Sequence, residues 1–364
     1  MNFRMRCGLA LAAVVCSTSP LVPLISAEAS TAPIKGIAVL VDGQGAYTDA
    51  SALVQARTVF NYVKSLKATG VQLNFPISTP SATSNTFTTT SQAPSAARLG
   101  SMIALARSLK LNVQVRPLID ESTLAPTYFR GDLNPSNVAT WFTNYLGVLR
   151  PYLAVAKSSG AQEFALGSEL TSMYQNPYSP AANPLAPRNT KLWASLITSV
   201  KKIYGGTLII VHNFNALTPV ANTKFGFDAY GPVTSLGPDA SVSELTSAIK
   251  NNWTQGPSQA KYYTSIQSPY SSDYVEEVGI SAVKGMYATP WSTKFTNPTI
   301  DRTIQSNWFT ANCNAFFSLK MAGIYFWMIS FPGYSANRDT SHDAPNWFNT
   351  SVEGAVKSCF ARSK

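Results

Sequence analysis

The sequence predicts an α/β fold, a single (β/α)8 TIM barrel, and three observations point to it. Eight short apolar runs alternate with amphipathic helical stretches along the chain, which is typical of parallel strands joined by crossover helices. No glycine-rich phosphate-binding loop follows the first run, which favours a closed barrel over a doubly wound sheet. No internal repeat or linker interrupts the pattern. We therefore expect residues 30–364 to form one domain.

Each predicted strand is short and rich in apolar residues. The strands are Ile34–Val41, Val71–Phe75, Leu111–Leu118, Gln162–Leu166, Leu208–His212, Phe225–Ala229, Asp273–Val278 and Gly323–Met328. Helical spacing of apolar residues predicts helices at Ala52–Thr69, Ala97–Lys110, Asn137–Ser159, Asn189–Tyr204, Ser243–Trp253, Thr299–Ala322 and Ser351–Phe360. Residues 76–94, rich in Ser, Thr and Pro, are predicted to form a long loop. Residues 254–272 give no clear pattern beyond one or two helical turns.

Residues 1–29 have the pattern of a secretory signal peptide. Two arginines lie near the start, Cys7–Ser19 is apolar, and Ala27–Ala29 matches an A-x-A cleavage site. The apolar stretch is short for a transmembrane helix. We therefore expect a secreted or periplasmic protein without membrane association. A lipoprotein processed at Cys16 is the weaker alternative.

Two of the chain's four cysteines, Cys313 and Cys359, lie beyond the predicted cleavage site. In an oxidising compartment an even number of cysteines can pair, which predicts one disulfide that holds the last helix in place. Two free buried thiols are the alternative.

The composition argues against several classes of function. The formal net charge is +10, but the basic residues are scattered singly apart from Lys201 and Lys202, so nucleic acid is not the expected partner. The chain has only 2 histidines, His212 and His342, too few for a His-based zinc site and poorly placed for a Ser-His-Asp triad. No G-x-S-x-G motif occurs. We expect neither a metal nor an organic cofactor.

Carboxylates follow two predicted strands, and they stand out because charged residues make up only 13% of the chain. Glu169 follows the fourth strand, and Glu276 and Glu277 end the seventh. Strand ends form the catalytic face of such a barrel, and strands four and seven face each other across its mouth. Two converging carboxylates are what glycoside cleavage requires. The alternative for Glu169 is a helix-capping role.

Glu276 and Glu277 are adjacent, and adjacent residues of a strand point to opposite faces. We therefore expect only one of them to face the mouth. The position of Gly279 favours Glu277, and an inward Glu276 is the alternative.

The sequence resembles glycoside hydrolase family 113, which contains retaining β-mannanases. The likeness is carried by FALGSELTSM around Glu169, by EEVGI around Glu277, and by RPLIDESTLAPTYFRGDLNPSNVATWFTNYLGVLRPYLAVAKSSGAQEF, which begins at Arg116. It extends from Ile34 to Phe331. The resemblance implies a barrel with its acid/base on strand four and its nucleophile on strand seven.

By this resemblance Glu169 is the acid/base and Glu277 the nucleophile. Tyr230, at the end of strand six, would hydrogen-bond the nucleophile, and Trp327, at the end of strand eight, would form the floor under the cleaved sugar. Contacts to sugar hydroxyls would come from Asp120, Arg130 and Asn213. The alternatives are core aromatics for Tyr230 and Trp327, a loop cap for Asp120, a surface pair with Asp132 for Arg130, and a turn residue for Asn213.

The chain departs from the family pattern at two places. Strand two ends in Asn74-Phe75-Pro76 without the expected Trp and Gln, and Ser168 stands where many relatives in the wider clan carry Asn. We expect both departures to alter recognition of the cleaved sugar and to leave hydrolysis intact.

The resemblance implies a secreted enzyme that cleaves β-1,4-mannan or glucomannan with retention of configuration. The alternatives are a hydrolase of another, anionic bacterial polysaccharide, which the positive charge would suit, and a non-catalytic carbohydrate-binding barrel. We expect the loops at Thr79–Pro94, Tyr174–Arg188 and Ala336–Trp347 to decide which sugar is cut.

Overall fold

Parallel strands close into a barrel in sequence order, and within the described residues there are eight of them. Each pairs with the next in sequence, and the eighth pairs with the first. The strands are β1 (Ile34–Leu40), β2 (Gly70–Ile77), β3 (Asn112–Ile119), β4 (Glu163–Ser168), β5 (Thr207–His212), β6 (Lys224–Asp228), β7 (Tyr274–Val278) and β8 (Gly323–Ser330). All lie close to their predicted positions, and the predicted (β/α)8 barrel is confirmed.

The computed structural model describes residues 32–363 except for 121, 125, 176–186, 216–217, 256–269 and 336–343. The predicted signal peptide, residues 1–29, therefore lies outside the described residues. Most of residues 254–272 also lie outside the described residues. So do large parts of the predicted substrate loops Tyr174–Arg188 and Ala336–Trp347.

Helices alternate with the strands on the outside of the barrel. They are α1 (Asp49–Ser65), α2 (Ala96–Ser108), α3 (Val138–Ser158), α4 (Thr171–Tyr174), α5 (Thr190–Ile203), α6 (Val242–Gln255), α7 (Arg302–Leu319) and α8 (Glu353–Ala361). Side chains of Thr48, Ser95, Asn137 and Asp301 accept N–H groups from the first turns of α1, α2, α3 and α7, which fixes where these helices begin. Across the described segments, none of the helices has the length and apolarity needed to cross a membrane.

The apolar core has two parts. The larger part fills the space between the strands and the surrounding helices. A smaller cluster lies among residues from β4, β5, β7 and β8, and consists of Ala165, Ile209, Val211, Tyr274 and Tyr325. Buried polar side chains share the barrel strands with it, namely Gln72, Gln114, Arg116, Glu163 and Glu276. The barrel therefore carries a polar layer beneath its mouth.

The two strands that carry the candidate acids both contain register shifts. The pairing of β4 with β5 shifts between Ala165 and Gly167, just before Glu169. In β7, Val275 pairs with Phe227, and Glu277 pairs with the next residue of β6, Asp228. A bulge of this kind adds one residue to a strand and redirects the side chains that follow, often next to an active site.

The predicted loop after β2 begins later than expected, because the strand continues to Ile77. Ser78 and Thr88 then form an antiparallel bridge. Asn85 binds the loop before α3, since its Nδ2 donates to Ser136 and its Oδ1 accepts the N–H of Asn137, at 2.8 and 2.9 Å. The loop is therefore anchored to the next crossover.

The predicted disulfide is present. Cys313 of α7 and Cys359 of α8 are bonded, with their Cα atoms 5.9 Å apart. The bond joins the last helix to the outer layer of the barrel, and the alternative of two free thiols is wrong.

Candidate active site

Glu169 lies at the end of β4 and is almost buried, with 9% of its surface exposed. Its N–H donates to the carbonyl of Val211 at 2.8 Å, and its Oε1 accepts a hydrogen bond from Asn213 Nδ2 at 2.9 Å. Its φ of 54° is unusual for a residue with a side chain and is often found at functional positions. Leu170, not Glu169, occupies the N-cap position of α4, so this residue does not play the capping role considered from the sequence.

Glu277 ends β7 and is held at both carboxylate oxygens. Oε1 lies 2.8 Å from Arg116 Nη1, and Oε2 accepts a hydrogen bond from the Tyr230 hydroxyl at 2.9 Å. A cation and a hydroxyl are both strong donors to a carboxylate. Glu277 is therefore held by two donors at the end of β7, at the mouth of the barrel.

Arg116 connects three strand ends and is completely buried on β3. Its Nη2 donates to both carboxylate oxygens of Asp228, at 2.9 and 3.1 Å, and to the hydroxyl of Ser168. Burial alone lowers the pKa of Arg116, but Asp228 and Glu277 outweigh this and raise the pKa above its ordinary value. The guanidinium therefore remains charged beneath the mouth.

Tyr230 and Trp327 meet around Gly279, two residues after Glu277. A Cβ atom at Gly279 would lie 3.0 Å from the Tyr230 hydroxyl and 3.4 Å from Trp327 atoms, so the absence of a side chain there permits the close approach. Burial, with Glu277 adding to it, raises the pKa of Tyr230 well above its ordinary value, so the phenol stays protonated and donates. Trp327 is half-buried at this edge of the mouth.

The other three predicted contact residues have different surroundings. Asn213 is bound to Glu169, as described. Asp120 accepts the N–H and the hydroxyl of Ser122 at 2.9 and 2.7 Å, so its carboxylate closes a local turn, which matches the loop-cap alternative. The guanidinium of Arg130 lies 5.9 Å from the centre of the Phe129 ring.

Arg130 belongs to a short 3-10 turn, Arg130–Asp132, that packs against the candidate acid. A Cβ atom at Gly131 would come 3.1 Å from the carbonyl oxygen of Glu169. Asp132 accepts the N–H of Phe129 at 3.0 Å, which stabilises this turn. The loop after β3 therefore brings Arg130 to the edge of the site.

Glu276 lies inside the barrel, below Glu277. Its Oε2 accepts a hydrogen bond from Gln72 at 2.6 Å, and its Oε1 accepts one from Gln114 at 3.1 Å. The expectation that Glu276 and Glu277 point to opposite faces is wrong, because the register shift in β7 turns both inward. Burial raises the pKa of Glu276 to about 8.

Gln114 also donates to a second buried acid, Glu163 of β4, at 3.3 Å. The Tyr325 hydroxyl donates to the same Glu163 oxygen at 2.9 Å. Burial raises the pKa of Glu163, although these donors oppose the shift. Glu163 and Glu276 therefore share one amide group in the interior of the barrel.

Sequence reasoning gave no role to Arg116, Asp228 or the interior acid Glu163. The signal for each was a charged residue within a predicted buried strand, where an unpaired charge is costly. Such a residue predicts a buried partner but does not say which one.

The described residues contain no group of three or more His, Cys, Asp or Glu side chains placed to hold a metal ion. The site is instead a set of carboxylates, each held by neutral or cationic donors. An arrangement of this kind suits proton transfer and nucleophilic attack at a sugar carbon.

Comparison with known proteins agrees with this chemistry. The model of Glycoside Hydrolase Family 113 matches residues 41–346. Comparison with curated proteins gives no match.

Several solved structures share the fold. A family 113 β-1,4-mannanase in a complex superposes with a TM-score of 0.70 at 16% identity, covering 91% of this chain and 100% of that one. The family 113 β-mannanase of Alicyclobacillus acidocaldarius gives 0.69 at 17% identity, covering 91% and 98%. An endo-1,4-β-mannanase from Rhizomucor miehei gives 0.52 at 13% identity, covering 91% and 96%. On the strength of the family match, the chain belongs to glycoside hydrolase family 113 and is a glycoside hydrolase.

Proposed function

We propose that this protein is a secreted, retaining glycoside hydrolase that cleaves β-1,4-mannan or glucomannan, with Glu169 as acid/base and Glu277 as nucleophile. The observation that carries the proposal is the pair of carboxylates at the ends of β4 and β7, each held by its own donors. Asn213 donates to Glu169, and Arg116 and Tyr230 donate to Glu277. Retaining hydrolysis requires two carboxylates in such different surroundings.

In the first step, a carboxylate oxygen of Glu277 attacks the anomeric carbon, and the bond from that carbon to the glycosidic oxygen breaks. Glu169 gives its proton to the departing oxygen, which leaves as a hydroxyl group of the shortened chain. The sugar remains on Glu277 as an ester.

In the second step, water attacks the same carbon and breaks its bond to Glu277. Glu169, now ionised, takes a proton from this water and is ready for the next cycle. Two inversions at one carbon restore the original β configuration.

The neighbouring residues have assigned roles in this proposal. Arg116 and Tyr230 hold Glu277 in position, and Asn213 orients Glu169. Trp327, beside Gly279, lies under the sugar that Glu277 attacks. We assign contacts with sugar hydroxyls to Asn213 and Arg130, whereas Asp120 primarily closes its turn with Ser122.

Mannan is the proposed substrate because the similar solved structures are named as β-mannanases. Secretion is proposed from the signal-like residues 1–29, and the Cys313–Cys359 disulfide is in keeping with an oxidising compartment. The net charge of +10 favours an anionic polysaccharide as the second candidate substrate. Binding that weakens steeply with added salt would support that second candidate.

A reducing-end assay of the purified mature protein tests the proposal. The panel contains mannan, glucomannan, cellulose, xylan, galactan and an anionic bacterial exopolysaccharide, with the Glu169→Gln variant as control. We expect activity on mannan that the variant loses. Activity on another glycan would reassign the substrate, and binding without activity would support a non-catalytic carbohydrate-binding barrel.

A further inference from the structure

Two aromatic side chains form a stacked pair on the loops that follow β5 and β7. Trp291, beyond β7, exposes 48% of its surface, although a large aromatic residue is usually mostly buried. Phe214, directly after β5, stacks on it with ring centroids 5.5 Å apart and an angle of 14° between the planes. We call Phe214 and Trp291 the aromatic pair.

The aromatic pair is continuous with the candidate site. Phe214 follows Asn213, whose Nδ2 donates to Glu169 Oε1 at 2.9 Å. Phe214 therefore belongs to the segment that orients the proposed acid/base. An exposed apolar surface next to a ligand site is commonly part of that site.

The loop that carries Trp291 is anchored to the barrel. The Ser281 hydroxyl donates to the carbonyl of Ser292 at 2.8 Å. The N–H of Ser292 donates to the carbonyl of Thr289 at 3.0 Å, which closes a turn around Trp291. Ser281 is itself buried just beyond β7. The indole is thus held in place before any ligand arrives, which lowers the entropic cost of binding.

We propose that the aromatic pair binds a pyranose ring of the leaving-group part of a β-linked polysaccharide, by stacking the apolar face of the sugar on the Trp291 indole. This inference rests on the function proposed above. A pyranose ring presents C–H groups on one face and hydroxyls at its rim, and an exposed, fixed aromatic ring offers a complementary surface.

The assignment to the leaving-group side follows from the proposed roles of the two acids. Trp327 and Gly279 lie beside Glu277, which bonds to the sugar that is retained. Phe214 is instead attached to the segment that contacts Glu169, which protonates the oxygen that departs. The aromatic pair therefore lies where the departing chain would run.

A comparison of two substrates tests the inference. Mannopentaose has leaving-group sugars, whereas β-mannobiosyl fluoride leaves only fluoride and offers nothing to the aromatic pair. We expect the ratio of kcat/KM on mannopentaose to kcat/KM on the fluoride to fall about tenfold in Trp291→Ala. Trp291→Phe keeps a flat ring and should recover most of the ratio.

Two further variants make the test specific. Val54 is also exposed and apolar, at 69%, but lies on the outer helix α1, so Val54→Ala should leave the ratio unchanged. Phe214→Ala removes the stacking support of Trp291. The double variant Phe214→Ala/Trp291→Ala should therefore lose little more than Trp291→Ala alone, since the two rings act together.

The outcomes separate this inference from the proposed function. If the wild type hydrolyses both substrates and the ratio is unchanged in Trp291→Ala, the sugar-binding role of the aromatic pair is overturned and the proposed function is not. An equal loss on both substrates would also overturn it, because the effect would not depend on leaving-group sugars. Wild-type protein that hydrolyses neither substrate would overturn the mannanase proposal and this inference with it. A change in oligomeric size in Trp291→Ala would assign the exposed indole to a contact between copies instead.

Discussion

Glu276 and Glu277 are consecutive residues of β7, and both side chains point into the barrel. Glu276 accepts hydrogen bonds from Gln72 and Gln114, whereas Glu277 contacts Arg116 and Tyr230. The register shift between β7 and β6 makes this possible, because it interrupts the alternation of side chains at that point. Strand β7 thus supplies two acids, Glu276 to the interior polar layer and Glu277 to the mouth of the barrel.

This arrangement predicts opposite results for two neighbouring substitutions. Glu277→Gln removes the proposed nucleophile and should lower kcat about 10⁴-fold or more. Glu276→Gln should cost less than about tenfold, because a carboxyl group with a pKa of about 8 is largely neutral near neutral pH, as an amide is. Steady-state kinetics on mannan near neutral pH measures both. If Glu276→Gln proved the inactive variant, the roles of the two residues would have to be exchanged.

The proposed role of Glu169 predicts a chemical rescue. Glu169→Ala should lower kcat on mannan by about 10²- to 10⁴-fold, since both the acid and the base are lost. Added azide should restore turnover on β-mannobiosyl fluoride, which needs no acid in its first step, and should give a β-glycosyl azide. The anomeric configuration is read by NMR. An α-azide would contradict the retaining mechanism.

Much of this architecture is readable from the sequence. Apolar runs of five to eight residues predicted each strand because a barrel strand is buried on both faces. Glu169 was a candidate because an acid that follows such a run lies at the sheet edge. Glu277 was a candidate because it ends the seventh predicted strand and because Gly279 and the family resemblance favoured it over Glu276. The disulfide followed from the count of cysteines.

The sequence did not predict the register shifts or the partners inside the barrel. A bulge depends on pairing with the neighbouring strand, and a five-residue strand such as β7 is too short for its periodicity to reveal one. Arg116 was visible as a charge in an apolar run, but its contacts with Asp228 and Ser168 come from strands far away in the chain. Long-range polar contacts of this kind leave no local signal.

The disulfide makes a prediction about stability. It closes a segment with a sequence separation of 46 residues, so Cys313→Ser/Cys359→Ser should lower the free energy of unfolding by about 2–4 kcal/mol. Helix α8 keeps other contacts, including Lys35 Nζ to the Phe360 carbonyl at 2.6 Å, so the folded state should persist. Thermal unfolding and kcat near 25 °C measure the two effects. Equal melting temperatures for variant and wild type would contradict the prediction.

Glu276 should also make stability depend on pH. Burial raises its pKa in the folded protein from 4.5 to about 8. The folded state therefore keeps a proton that the unfolded chain releases, and this stabilisation is complete below the unfolded pKa. It is lost as pH rises through the folded pKa. Wild type should therefore lose stability as pH rises from about 5 to about 8, whereas Glu276→Gln should not. The free energy of unfolding of Glu276→Gln relative to wild type should increase over this range.

Urea unfolding at both ends of that range measures the effect. Glu163→Gln is a parallel test, since Glu163 is the other buried acid on Gln114 and burial raises its pKa as well. We expect the free energy of unfolding to depend less on pH in each variant than in wild type. A stability difference between Glu276→Gln and wild type that stays constant over this range would contradict the protonated state of Glu276 in the fold.

The pairing of Arg116 with Asp228 and Glu277 predicts strong coupling between these positions. Arg116→Met leaves two buried carboxylates without their cation and should lower the free energy of unfolding by about 3–5 kcal/mol. Asp228→Asn removes one of those charges, so the double variant should be more stable than the sum of the single effects by about 1–3 kcal/mol. Urea unfolding of the four proteins near neutral pH measures the coupling.

The same variants separate stability from catalysis. Asp228→Asn leaves the 2.8 Å contact between Arg116 and Glu277 available, whereas Arg116→Met removes it. We therefore expect kcat to fall far more in Arg116→Met than in Asp228→Asn, and the double variant to regain stability without regaining kcat. Recovery of both quantities together would mean that Arg116 acts only through folding. Recovery of stability alone would identify it as the residue that holds the nucleophile in place.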